Sequence, residues 1–78
     1  MEKKYMYKGQ DITLDILFKE EHILSIIAEK DGKKFDDSYD DFLQSKTYGA
    51  LQNTASLMWT ESAEFIADEY YREKSAAN

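Results

Sequence analysis

The sequence predicts a mainly α fold, a small three-helix bundle with a four-helix version as its variant, carrying an N-terminal extended arm. Three observations predict it. Two separate stretches, Phe35 to Lys46 and Trp59 to Tyr70, place a largely apolar set of residues at offsets 0, 4, 7, 8 and 11, the spacing that stacks side chains on one face of a helix. A third, longer stretch from Ile12 to Ala28 lies between candidate caps and an Asp31-Gly32 stop. With 78 residues, 42% of them hydrophobic, and no apolar run near the roughly 20 residues that span a bilayer, the chain makes one domain, residues 1–78.

Residues 1–10 read as the arm, an extended segment holding Tyr5, Met6 and Tyr7 and ending in a turn at Lys8-Gly9-Gln10. From Ile12 onward two templates compete. As a helix, Ile12, Leu14, Ile16, Leu17, Ile23, Leu24, Ile27 and Ala28 share one broad arc, with Phe18 and Ile26 outside it. As a strand, Ile12, Leu14, Ile16 and Phe18 alternate with Thr13, Asp15 and Lys19, which supports an alternative α+β fold with an N-terminal hairpin over residues 3–18. Leu17 in a polar slot and the helix-forming run Lys19-Glu20-Glu21 weigh against the strand, so a helix is expected over 13–31. Asp11 or Thr13 would cap it, and Gly32 would end it in the left-handed conformation.

A second helix is expected over 36–48. Ser38-Tyr39-Asp40-Asp41 matches a capping box, and Asp36, Asp37, Asp40 and Asp41 cluster where the positive end of the helix dipole would lie. Ser45 to Gly49 marks a weakening or bend, Ala50 and Leu51 add an apolar turn, and Gln52 to Ser56 form a loop. The last helix is expected over 57–73, starting near Ser56 or Thr60 and fraying through Lys74 to Asn78. Its stripe of Trp59, Ala63, Ile66, Ala67 and Tyr70 belongs inside. The expected core is Trp59, Ile66, Tyr70, Phe42, Leu43, Tyr39, Leu24 and Ile27.

The chemistry-bearing residues are sparse. Asp36, Ser38 and Asp40 start like a calcium loop, but the sixth position holds Asp41 instead of glycine and the twelfth Thr47 instead of glutamate, so no metal site is expected. His22, the lone histidine, has Phe18, Lys19, Ser25 and Ile26 as helical neighbours, none of them able to orient a base, and belongs at the polar boundary of the first helix. No nucleophile elbow or phosphate loop is present, so the sequence supports no enzyme, no catalytic residue and no cofactor. Lys3-Lys4-Tyr5 and Tyr70-Tyr71-Arg72 interleave basic and aromatic residues, but acidic neighbours surround the second. Ten basic against sixteen acidic side chains leave a net charge of −6, which opposes nucleic acid and favours a basic partner. The absence of cysteine and the polar first residues suggest the cytoplasm, and no membrane association is expected.

One surface stands out. Glu61, Glu64 and Asp68 line the polar side of the last helix without a lysine at the favourable i+4 spacing, until Asp68 reaches Arg72. Phe65, Met58 and Tyr71 flank the apolar stripe, where aromatic residues serve as interface anchors. Glu61, Glu64, Asp68, Phe65 and Tyr71 are therefore the candidate partner-binding residues, for a basic protein or a second copy of the chain.

Residues 23–73 also resemble a group of small, uncharacterised proteins of anaerobic bacteria associated with toxin-antitoxin-like gene clusters. The resemblance is carried by Phe42-x-x-Ser45-Lys46-Thr47-Tyr48 and by Glu61-Ser62-x-Glu64-Phe65-Ile66. It implies an all-helical accessory or antitoxin-like protein that acts by binding, and it brings no catalytic residues; together with the acidic helix it points to the neutralising partner of a basic toxin. The alternative is a small helix-turn-helix-like transcriptional regulator, with the second and third helices flanking Asn53; acidic helices oppose it.

Overall fold

The computed structural model describes residues 4–76. Elements follow the chain as β1 (Met6–Tyr7), β2 (Gln10–Asp11), α1 (Thr13–Asp31), α2 (Phe35–Leu43), α3 (Lys46–Gln52), two 3-10 turns (Thr54–Ser56 and Met58–Thr60) and α4 (Ala63–Ala76). The fold is the small helical bundle with an N-terminal arm, in its four-helix version. The first three residues of the predicted arm, with Ala77 and Asn78 of the predicted C-terminal fray, lie outside the described residues.

The arm is a hairpin. Met6 pairs with Asp11 and Tyr7 with Gln10 in antiparallel register, and the two residues between them, Lys8 and Gly9, have φ of 49° and 80°. Positive φ at both turn positions matches the right-handed twist of the flanking strands, and glycine adopts it without steric cost. The alternative reading was therefore right that the chain turns back at Gly9, but the strand stops at Asp11. Thr13 to Phe18 are helical.

Helix α1 has the predicted bounds. Its N-cap position is Ile12, whose side chain caps nothing, rather than Asp11 or Thr13: Asp11 Oδ1 accepts the Thr13 amide at 2.9 Å from one residue earlier, and Thr13 Oγ1 accepts the Tyr5 amide. At the other end, the Gly32 (φ 66°) and Lys33 amides both return to the Ala28 carbonyl. Of the predicted apolar arc, Ile16, Ile23, Leu24 and Ile27 are buried, whereas Leu14 and Leu17 are exposed. The arc was broader than the surface that α2 and α4 cover.

The predicted helix 36–48 is two helices. The chain breaks at Gln44-Ser45, where Ser45 Oγ accepts the Tyr48 amide at 3.0 Å and donates to the Phe42 carbonyl at 2.6 Å. Ser38 caps nothing. It lies in the second turn of α2, buried, because α2 starts at Phe35 behind Lys34. Asp36 and Asp37 do occupy the first turn, where the dipole favours them.

The last helix starts at Ala63, later than expected, because Leu57 takes a left-handed φ of 62° and Glu61 is extended. Ser62, rather than Ser56 or Thr60, supplies the cap, accepting the Phe65 amide at 3.0 Å. At the other end, Lys74 to Ala76 remain helical.

The main core joins Ile23, Leu24 and Ile27 of α1, Phe42 of α2, Leu51 of α3, and Ala63, Ile66, Ala67 and Tyr70 of α4. Phe42 meets Tyr70 and Tyr48 edge-on, with centroids 5.4 and 5.5 Å apart. A second, smaller cluster of Tyr5, Ile12 and Ile16 sits under the hairpin, and Trp59 packs against both. Trp59 thus lies outside the α4 stripe and bridges the clusters. Leu43 is half-buried and Tyr39 exposed, so neither joins the core in which the sequence placed them.

Candidate partner-binding surface and groove

Helix α4 buries Ala63, Ile66, Ala67 and Tyr70 and turns Glu64, Phe65 and Asp68 outward. Phe65 is 43% exposed. Glu61 is not on this helix; it precedes the cap, and its carbonyl accepts Lys19 Nζ at 2.7 Å. Arg72 pairs with Glu69 at 2.6 Å, not with the expected Asp68. Tyr71 faces α1: its hydroxyl donates to Asp31 Oδ1 at 2.7 Å, and its ring lies under Lys30 Nζ, 4.6 Å from the centroid. Burial, then the hydrogen bond to the Asp31 carboxylate and its charge, push the Tyr71 phenol well above its ordinary value. Of the five candidate residues, Glu64, Phe65 and Asp68 share one outward surface, Glu61 lies beside it, and Tyr71 is held against the bundle.

His22 gains a neighbour that its own helix does not supply. Glu64 Oε2 approaches Nε2 to 3.9 Å across the α1–α4 contact, too far for a hydrogen bond, and both side chains are more than half exposed. The adjoining depression, bounded by Asp15, Phe18, Lys19, His22 and Trp59, is open to solvent. Among the described residues, no group of three His, Cys, Asp or Glu side chains could hold a metal ion.

The structure also assembles a groove that was not anticipated. It has a volume of about 910 Å³ and runs between the hairpin, α1, α2 and α3. Leu14 and Leu17 form an apolar wall, Tyr39 stands opposite on α2, and Tyr5, Glu20, Tyr48 and Gln52 come together within it. Gln52 Nε2 donates to the Tyr5 hydroxyl at 2.7 Å and to the Tyr48 hydroxyl, joining the hairpin to α3. Burial first, then the Glu20 carboxylate, push the Tyr48 phenol up to about 12. The same two causes raise Tyr5, against the opposing Gln52 bond. Asp11 and Asp15 line the groove too, with Lys4 as the basic side chain among them.

The breadth of the apolar arc on α1 was the sequence signal for this groove. On an α-helix, Leu17 and Glu20 fall on the flank away from Lys19 and His22, the pair directed at α4 and its leading turn. One helix face cannot meet two neighbours and also bury both flanks, so an arc this wide leaves apolar side chains over. Leu14 and Leu17, 65% and 47% exposed, are that remainder.

No helix of the described residues is long and apolar enough to cross a membrane. Compared with known proteins, the chain matches no family model, no curated protein and no solved structure.

Proposed function

We propose that this protein is a non-enzymatic protein–protein interaction module, antitoxin-like or accessory, that docks a basic partner surface through α4. The observation that carries the reading is the outward trio on that helix, Glu64 and Asp68 beside a Phe65 that is left 43% exposed. An exposed aromatic offers a desolvated anchor, and carboxylates around it steer a basic partner into place while discriminating against acidic ones. The net charge of −6 extends that attraction beyond the contact.

Pull-down from the native host at low salt, read by mass spectrometry, should recover a basic protein. The double variant Glu64→Lys and Asp68→Lys should keep its helical circular dichroism while its association rate falls by about tenfold, because both side chains are solvated at the rim. Recovery of a clean monomer, or unchanged association of the double variant, would remove α4 as the docking helix.

A further inference from the structure

We infer that the groove between the hairpin, α1 and α2 binds an organic cation, an ammonium group at the end of an alkyl chain. This goes beyond partner docking through α4, since the groove lies on the other flank of α1. Charge selects the ligand class. Among the described residues, an anion entering would meet the carboxylates of Glu20, Asp11 and Asp15 against one lysine, Lys4. A neutral apolar ligand would strip water from Glu20, one of whose carboxylate oxygens is already buried, without returning an interaction. An ammonium is attracted by the same carboxylate and by the negative faces of aromatic rings, and three phenols, Tyr5, Tyr39 and Tyr48, line the space.

The remaining chemistry fits the rest of such a ligand. Gln52 holds the Tyr5 and Tyr48 hydroxyls together, so the two rings are tethered before anything binds, which lowers the ordering cost of binding. Leu14 and Leu17, exposed on the wall, cover a methylene chain. At about 910 Å³ the groove has the size of small-ligand sites. An alkylammonium could come from a lysine side chain of another protein or from a free polyamine; the chemistry recognised is the same.

The test is an amide and side-chain NMR titration of the full chain with hexylammonium, hexanol and hexanoate, followed by spermidine and Nα-acetyl-lysine amide. Hexylammonium should saturate with shifts centred on Leu14, Leu17 and the Gln52 side-chain amide, at least tenfold tighter than hexanol or hexanoate. Glu20→Gln should weaken it at least tenfold. Because Glu20 is partly enclosed, Tyr39→Ala, at an exposed position, serves as the second variant and should weaken it several-fold while the spectrum stays dispersed. Tighter binding of spermidine or of the lysine amide than of hexylammonium supports the site and identifies its source. Equal binding of hexanol, or hexylammonium shifts spread over the surface carboxylates and unaltered in both variants, would overturn it. Neither result bears on α4, whose variants are read by partner capture.

Discussion

At the scale of single residues, the sharpest departure from local expectation is Ser38. The sequence pattern offers it as a helix cap, yet it is buried in the second turn of α2, and its Oγ has no hydrogen-bond partner among the described residues. A buried hydroxyl left unsatisfied costs about 1–3 kcal/mol, and alanine is also the better helix former. Ser38→Ala should therefore stabilise the protein by roughly 1 kcal/mol, measured by urea denaturation. A loss of stability would mean that the hydroxyl makes a bond the fold relies on. Leu57 is a second such residue, an exposed leucine in the left-handed region where glycine or asparagine is usual. Its backbone, set by no pattern of its own, is what separates the two 3-10 turns and delays α4.

At the scale of elements, α3 depends on a residue far from it in sequence. Glu73 of α4 accepts the amides of Lys46 and Thr47 at 2.8 and 2.9 Å and the Thr47 hydroxyl at 2.8 Å. Burial tends to raise the Glu73 carboxyl, but these bonds and the Lys46 charge outweigh it and bring it below its ordinary value of 4.5. A carboxylate at the positive end of a seven-residue helix thus closes the free amides that Ser45 leaves open. Glu73→Gln should cost about 1–2 kcal/mol at neutral pH, the range of a lost helix cap. The folded-state value is depressed, so the contribution is complete above the unfolded value and disappears as pH falls through the folded one. The gap between wild type and variant should accordingly shrink below about pH 4.5 in thermal melts taken across pH. A gap that persists unchanged in acid would assign the effect to packing instead of charge.

At the scale of the whole molecule, Trp59 is the link between two cores. It touches the Tyr5, Ile12 and Ile16 cluster and the main bundle core, meets Tyr7 edge-on at 5.5 Å, and donates Nε1–H to the Thr54 carbonyl at 3.0 Å. A domain this small buries proportionally little surface, and it has no disulfide to hold the hairpin down. Trp59→Ala should cost roughly 2–3 kcal/mol, less than for a fully buried ring, and amide protection at Met6 to Asp11 should fall more than in α4. Uniform loss of protection would show that the arm and bundle unfold as one unit without the ring between them. Both proposed binding surfaces belong to this scale. The α4 ridge is set by the helix's own periodicity, while the groove exists only because Tyr5, Glu20, Tyr39 and Tyr48 arrive from four different segments.

The sequence by itself determined the helical class, the bounds of α1, the Gly32 stop and the buried stripe Ala63, Ile66, Ala67 and Tyr70. Each rests on spacing or capping within a few residues, where backbone geometry alone decides which side chains meet. The tertiary structure decided the late start of α4, the place of Trp59, the neighbour that Glu64 provides for His22, and the groove. Those depend on bonds such as Glu73 to Thr47 and Gln52 to Tyr5, between residues 26 and 47 apart, and on how much of α1 its neighbours can cover. Periodicity states that a face is apolar. Whether that face is buried or left open is settled by the number and position of the elements packed against it, which is why Leu14 and Leu17, on the same apolar arc as the buried Leu24 and Ile27, line the groove.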